Sequence, residues 1–211
     1  MKCLKNEDRR KMNIKMNGDK LEEVEEFCYL GSIITKDNRS KRDIRSRVAQ
    51  AKKAFAEKKH LLTSNLDIEI KKRFLKAYLW SVALYDSESW TLGKDDKRNS
   101  EAFEMWCYRK MMKISWTDRV TNEEVLNQVK AKRTIWNTLQ RRRDKMIGHI
   151  LRPEGLTHLI VEGIAEGKRG RGRPRMSYLD QIIQDVGASN YREMKNLAQN
   201  RQRWRVVSNQ S

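Results

Sequence analysis

The sequence predicts a mainly α protein with a small antiparallel β-ribbon at its N-terminal end, and three observations predict it. Apolar residues recur at helical spacing from residue 40 onward. Alternating apolar positions are confined to the first 35 residues, around Asn17-Gly18. Residues that cap helices stand before several of the later apolar runs, at Asp67, Thr121 and Ser177.

Taken in order, the first segment predicts strands near 12–16, 20–24 and 27–34, with Asn17-Gly18 as a tight hairpin turn. A ribbon this small needs helices behind it or a larger sheet beside it. From Ser40 the period changes: Ile44, Val48, Ala51, Phe55 and Leu62 share one face, with basic residues largely elsewhere. Asp67 opens a helix with a stripe of Ile70, Phe74, Ala77, Ser81 and Leu84, widened by Leu75, Leu79 and Val82. A third helix spans about Lys97 to Ile114, with a broad apolar side through Phe103, Trp106, Cys107, Tyr108 and Met111. Thr121 and Glu124 form a capping box before Val125, Leu126 and Val129. A longer helix carries Ile135, Leu139, Met146, Ile147 and Ile150 and stops before Pro153 and Gly155. Residues 156–164 fit a strand or a helix. Ser177 starts a short helix, and a last helix from Tyr191 carries Met194, Leu197 and Trp204.

Composition points to the partner. The 211 residues hold 46 Lys and Arg against 28 Asp and Glu, a formal charge of +18, which concentrates polyanions around the chain. Residues 41–80 carry 12 basic and 4 acidic groups and residues 130–175 carry 13 and 4, whereas residues 81–129 carry 7 and 9. Two blocks therefore hold most of the excess. A hydrophobic fraction of 38% with 6 Trp and 2 Pro argues against a wholly disordered chain. The longest nearly apolar run, residues 78–85, is too short to span a bilayer, and the first residues lack the apolar stretch of a secretory signal. Cys3, Cys28 and Cys107 cannot all pair within the chain, which favours a reducing compartment, nucleus or cytoplasm. No membrane partner is expected.

Catalytic and metal motifs are not apparent. His60, His149 and His158 lie far from the cysteines, without the spacing of a zinc site. There is no nucleophile elbow, Walker or zinc-protease signature, and no Tyr-x-Asp-Asp hairpin to hold Mg²⁺. Asp95-Asp96 and Glu123-Glu124 sit where carboxylates stabilise helix N-termini. No catalytic residue, metal or cofactor is expected in this chain. The nucleic-acid-binding candidates are Arg42, Arg45, Lys52, Lys53, Lys58 and Lys59, then Arg141, Arg142, Arg143 and Lys145, then Lys168, Arg169, Arg171, Arg173 and Arg175. Residues 167–175 resemble an AT-hook, whose arginines read a narrow minor groove; a basic linker touching the phosphates of any sequence is the equal alternative. Of the tryptophans, Trp80 and Trp106 read as core and Trp136 as surface-facing.

Specific blocks then resemble one family. Phe27-Cys28-Tyr29-Leu30-Gly31-Ser32-Ile33-Ile34 is similar to the block that closes the palm of RTE- and jockey-like non-LTR (LINE-type) retrotransposon endonuclease-reverse transcriptases. Leu84 to Leu92, Phe103 to Met111, Ile147 to Arg152 and Gly170 to Asp180 resemble later blocks in family order. Departures are Asp86 and Ser87, where the family usually has Gly and Cys, and Pro153, where it has His.

The resemblance implies a layout: residues 1–36 a residual palm ribbon, 37–115 a helical thumb-like domain, 116–166 a helical C-terminal domain, 167–176 the AT-hook-like linker and 177–211 C-terminal helices. It implies that Tyr29, Leu30 and Gly31 correspond to the primer grip, and that the chain holds RNA, DNA or their hybrid. It places Met1 inside the palm, so the Mg²⁺-binding carboxylates of the RNA-directed DNA polymerase, and the rest of that polypeptide as a partner, are expected outside these residues. The rival readings are an enzyme completed by a palm in another chain, a remnant without a selected role, and an AT-hook-like DNA-binding protein with no polymerase role.

Overall fold

The computed structural model describes residues 14–37, 39–162 and 177–210, and it is mainly α, with two small antiparallel ribbons at the N-terminal end. The first ribbon pairs β1 (Lys15–Met16) with β2 (Asp19–Lys20), and the second pairs β3 (Glu26–Tyr29) with β4 (Ser32–Thr35). Asn17 and Gly18 both take positive φ, as a primed two-residue turn requires. The expectation of one strand over 27–34 is corrected: the chain reverses at Leu30-Gly31, where φ is 49° and 87°, so Tyr29 pairs with Ser32 and Glu26 with Thr35. Residues 21–24 form no strand. The three-stranded ribbon is thus two separate hairpins.

Helix α1 (Lys41–Glu57) buries Ile44, Ala51 and Phe55 and half-buries Val48, as its spacing predicts. A one-turn helix, α2 (Lys59–Leu62), follows after a break at Lys58. Asp67 accepts from the Glu69 amide at 2.7 Å and caps α3 (Ile68–Phe74), which runs through a π turn at Leu75–Leu79 into α4 (Trp80–Ala83). The predicted core stripe of this run is corrected. Ile70, Ala77 and Ser81 are exposed, while Leu75, Leu79, Trp80, Ala83 and Leu84 are buried. The stripe is already off the core at Ile70, before the π turn, because the buried line of this run passes through Leu75 and Leu79 and, beyond the turn, through Ala83 and Leu84.

Helix α5 (Lys94–Met111) starts three residues earlier than the expected Lys97, because Asp96 accepts from the Gly93 amide at 2.9 Å. In α6 (Asn122–Val129) the capping box forms: the Thr121 amide donates to Glu124 at 2.7 Å and the Glu124 amide to Thr121 Oγ1 at 3.2 Å. Helix α7 (Ile135–Ile150) is followed by α8 (Leu156–Glu162), which settles the open strand-or-helix segment as helix. Ser177 caps α9 (Tyr178–Asp185). The single last helix is corrected to two, α10 (Tyr191–Gln199) and α11 (Arg201–Gln210): Asn200 Oδ1 accepts from the Gln202 and Arg203 amides at 3.1 Å and starts a new helix.

Apolar side chains from residues 44 to 139 form one core and those from 147 to 207 another, so the two meet along α7. No break in the core falls at 115–116, since Val125, Val129 and Ile135 pack with Phe103, Tyr108 and Met111.

Candidate nucleic-acid interface

Helix geometry separates the charge of α1 from its core face. At about 100° per residue, Arg42, Arg45, Lys52 and Lys53 fall within roughly a quarter of the helix circumference, with Ala49 and Ala56 between them. All four cations are exposed. Over 42–53 they line about 17 Å of helix at 1.5 Å per residue. Arg42 is paired with Glu26 at 2.5 Å, and Lys52 lies 5.3 Å from the centre of the Trp106 ring. Arg45 and Lys53 have no ion-pair partner among the described residues. Lys58 and Lys59 are exposed at the break that ends α1.

The β3–β4 hairpin is fastened to α1 by charge buried in the apolar phase of that helix. Asp43 accepts from the Ile33 amide at 3.0 Å and from Trp90 Nε1 at 2.9 Å. Arg47 donates to the Gly31 carbonyl at 2.7 Å, and its guanidinium lies 4.2 Å from the Tyr85 ring centre. Tyr85 donates to the Leu30 carbonyl at 3.3 Å, and Ser32 Oγ donates to Asp86 at 2.8 Å. These contacts hold Leu30 in a left-handed conformation that costs a non-glycine residue on the order of 1 kcal/mol. Leu30 remains 76% exposed, beside exposed Tyr29. Behind the turn, a cleft of about 830 Å³ runs between the hairpin and residues 81–90 and reaches Arg39 and Arg142.

The second expected patch divides. Arg141 and Lys145 are exposed on α7, but Arg142 is half-buried and donates to the Leu84 carbonyl at 2.8 Å. Arg143 is corrected from a surface contact to a core residue, 1% exposed. It donates to Gln181 at 2.9 Å and Asp185 at 3.5 Å and lies 4.9 Å from the Tyr178 ring centre. Its position explains this, since Arg143 stands four residues from both Leu139 and Ile147, on the buried line of α7. Lys168, Arg169, Arg171, Arg173 and Arg175, and the whole AT-hook-like segment, lie outside the described residues.

Segment 84–92 gathers these parts. Besides Tyr85, Asp86 and Trp90, Leu92 exchanges two hydrogen bonds with the Gln181 amide group, and Tyr178 donates to the Glu88 carbonyl at 2.6 Å. Asp86 is in the left-handed region at φ 57°, which short polar residues tolerate better than most non-glycine residues. Sequence reading missed Asp43, Arg47 and Arg143 as structural charges, although each falls in the apolar phase of its helix. It also missed Trp116, which is exposed, and the exposed Arg201, Arg203 and Arg205 of α11. Trp136 is half-buried, with Lys97 5.8 Å from its ring centre.

Among the described residues no group of three or more His, Cys, Asp and Glu could hold a metal ion, and no helix is long and apolar enough to cross a membrane. No family model matches the chain, and no curated protein and no solved structure matches it.

Proposed function

We propose that this chain binds nucleic acid, as the template- and primer-holding C-terminal part of a reverse transcriptase of the non-LTR retrotransposon kind. The observation that carries the reading is the exposed basic arc of α1, with the β3–β4 hairpin fastened at its N-terminal end by Asp43 and Arg47. A polyanion laid along α1 would run toward Tyr29 and Leu30, the residues similar to a primer grip. Arg141 and Lys145 add a second contact, and Lys168 to Arg175 a third. The work assigned to this chain is holding: phosphate contacts fix position, and copying belongs to carboxylates that this sequence does not contain. RNA, DNA and their hybrid all present the phosphates required.

Binding of labelled single-stranded and duplex oligonucleotides across a salt series tests the reading. Affinity should fall linearly with log salt, because each neutralised phosphate releases counterion, roughly 0.7–0.9 in slope per contact. The double variant Arg45→Ala, Lys53→Ala should lower that slope by roughly 1–2 without lowering the melting temperature, since both side chains are exposed and alanine suits a helix. Salt-independent binding, or an unchanged slope in the double variant, would overturn the assignment. Primer extension by the purified chain with template, dNTPs and Mg²⁺ should give no product; extension would refute the holding-only role.

A further inference from the structure

Between residues 86 and 155, Trp116 is the one large hydrophobic side chain that is exposed, at 89%. Tryptophan is the costliest side chain to leave in water, and Trp80, Trp90 and Trp204 of this chain are each under 5% exposed. The loop that presents Trp116 is nevertheless tightly built. The Ser115 amide donates to Asp118 at 2.7 Å, Thr117 Oγ1 donates to Ser115 Oγ at 2.9 Å, and the Asp118 amide donates to the Ser115 carbonyl at 3.3 Å. Arg109 ties the far side of the loop, donating to the Val120 carbonyl at 2.7 Å and to Asn122 at 3.0 Å. Lys113 and Arg119, three residues to either side, are both in the left-handed region, at φ 60° and 51°. Residues 109–119 carry four cations and one acid, and that acid, Asp118, is engaged in the turn. Lys110, Lys113 and Arg119 are exposed and have no ion-pair partner among the described residues.

An apolar protein interface needs a contiguous patch, and no other large hydrophobic between residues 86 and 155 is exposed; an indole on a hydrogen-bonded turn among cations without ion-pair partners instead offers a π-face beside phosphate-neutralising charge. We infer that Trp116 is a stacking platform for an unpaired base of single-stranded nucleic acid, with Lys113 and Arg119 contacting the flanking phosphates. This rests on the nucleic-acid-binding reading proposed above and adds a site on a loop outside both basic blocks.

Anisotropy of a labelled 12-nucleotide single strand, an abasic strand of the same length and a duplex tests it on the full chain. Trp116→Ala should weaken binding of the normal single strand about 5- to 150-fold, and Trp116→Phe should recover most of that loss. The abasic strand and the duplex should bind both proteins alike, and the salt slope should not change, because stacking releases no counterion. Far-UV circular dichroism and melting should be the same for the variant and the parent, given the exposure of the side chain. Equal binding of the normal strand by Trp116→Ala, or an equal loss on the abasic strand, would overturn the inference while leaving nucleic-acid binding intact. Loss of self-association in the variant with unchanged strand affinity would also overturn it, marking Trp116 as a contact between copies. If the parent chain binds no strand, both readings fall together.

Discussion

At the scale of single residues, close approach and unsatisfied polarity decide the sensitive positions. Gly148 lies under the indole of Trp204, where a Cβ would stand 2.1 Å from Nε1. That indole donates to the Asp144 carbonyl at 2.9 Å and fastens α11 to α7. Gly148→Ala should therefore cost about 2–3 kcal/mol, read from urea unfolding, as overpacked cores do. Ser87 is fully buried, and its hydroxyl has no hydrogen-bond partner among the described residues. Ser87→Cys should stabilise the chain by about 1 kcal/mol and raise the melting temperature, because thiols tolerate apolar surroundings. Both effects were hidden in the sequence, where Gly148 is a helix-interior glycine and Ser87 an ordinary loop serine. Only Asp86 beside it carried a readable signal, a short polar residue where the backbone turns left-handed.

At the scale of elements, α7 is started by a residue from another helix. Thr134 makes no side-chain cap, and buried Glu104 of α5 accepts instead from the Thr134 and Ile135 amides at 3.0 and 3.3 Å, with Tyr108 donating to it at 3.3 Å. Burial pushes the Glu104 carboxyl above its usual range, while the backbone hydrogen bonds oppose that shift. The helix dipole and the amides hold the carboxylate in place across thirty residues of sequence. Glu104→Ala should destabilise by about 2–3 kcal/mol, as loss of a charged cap with amides left buried predicts; a change below about 0.5 kcal/mol in equilibrium unfolding would contradict this account. Local caps behaved differently. Asp67, Thr121 and Ser177 were readable because a cap and its helix lie within three residues.

At the scale of the whole molecule, the junction of α7, α9 and α11 couples stability to pH. Asp144 is fully buried with neither carboxylate oxygen hydrogen-bonded among the described residues, and burial, reinforced by the nearby Asp185 charge and opposed by Arg143, pushes its pKa up from 3.8 to about 7. Between roughly pH 4 and 7 the folded state holds this proton and the unfolded chain has lost it. Its contribution is thus full below about pH 4 and is lost as pH rises through 7. Asp144→Asn should unfold at nearly the wild-type temperature at pH 4 and at a higher one at pH 8; a gap independent of pH would refute this. Glu162 acts with the opposite sign. Lys195 at 2.6 Å, Tyr191 and His158 hold its carboxyl down to about 2, so that contribution is present above the usual carboxylate range and is lost on acidification toward pH 2.

The sequence by itself determined the helical class, the Asn17-Gly18 turn, the core face of α1 and most helix starts, because periodicity, primed turns and caps act within a few residues. It also located the charge. What only the tertiary structure decided is which of those charges face water. Arg42, Arg45, Lys52 and Lys53 remained outside, whereas Arg143 was taken into the core to hold α9, and Asp43 and Arg47 to hold the hairpin. The physical reason is that a buried ion is tolerated only where partners from distant segments converge on it, and those partners, 10 to 47 residues away, leave no trace in local spacing.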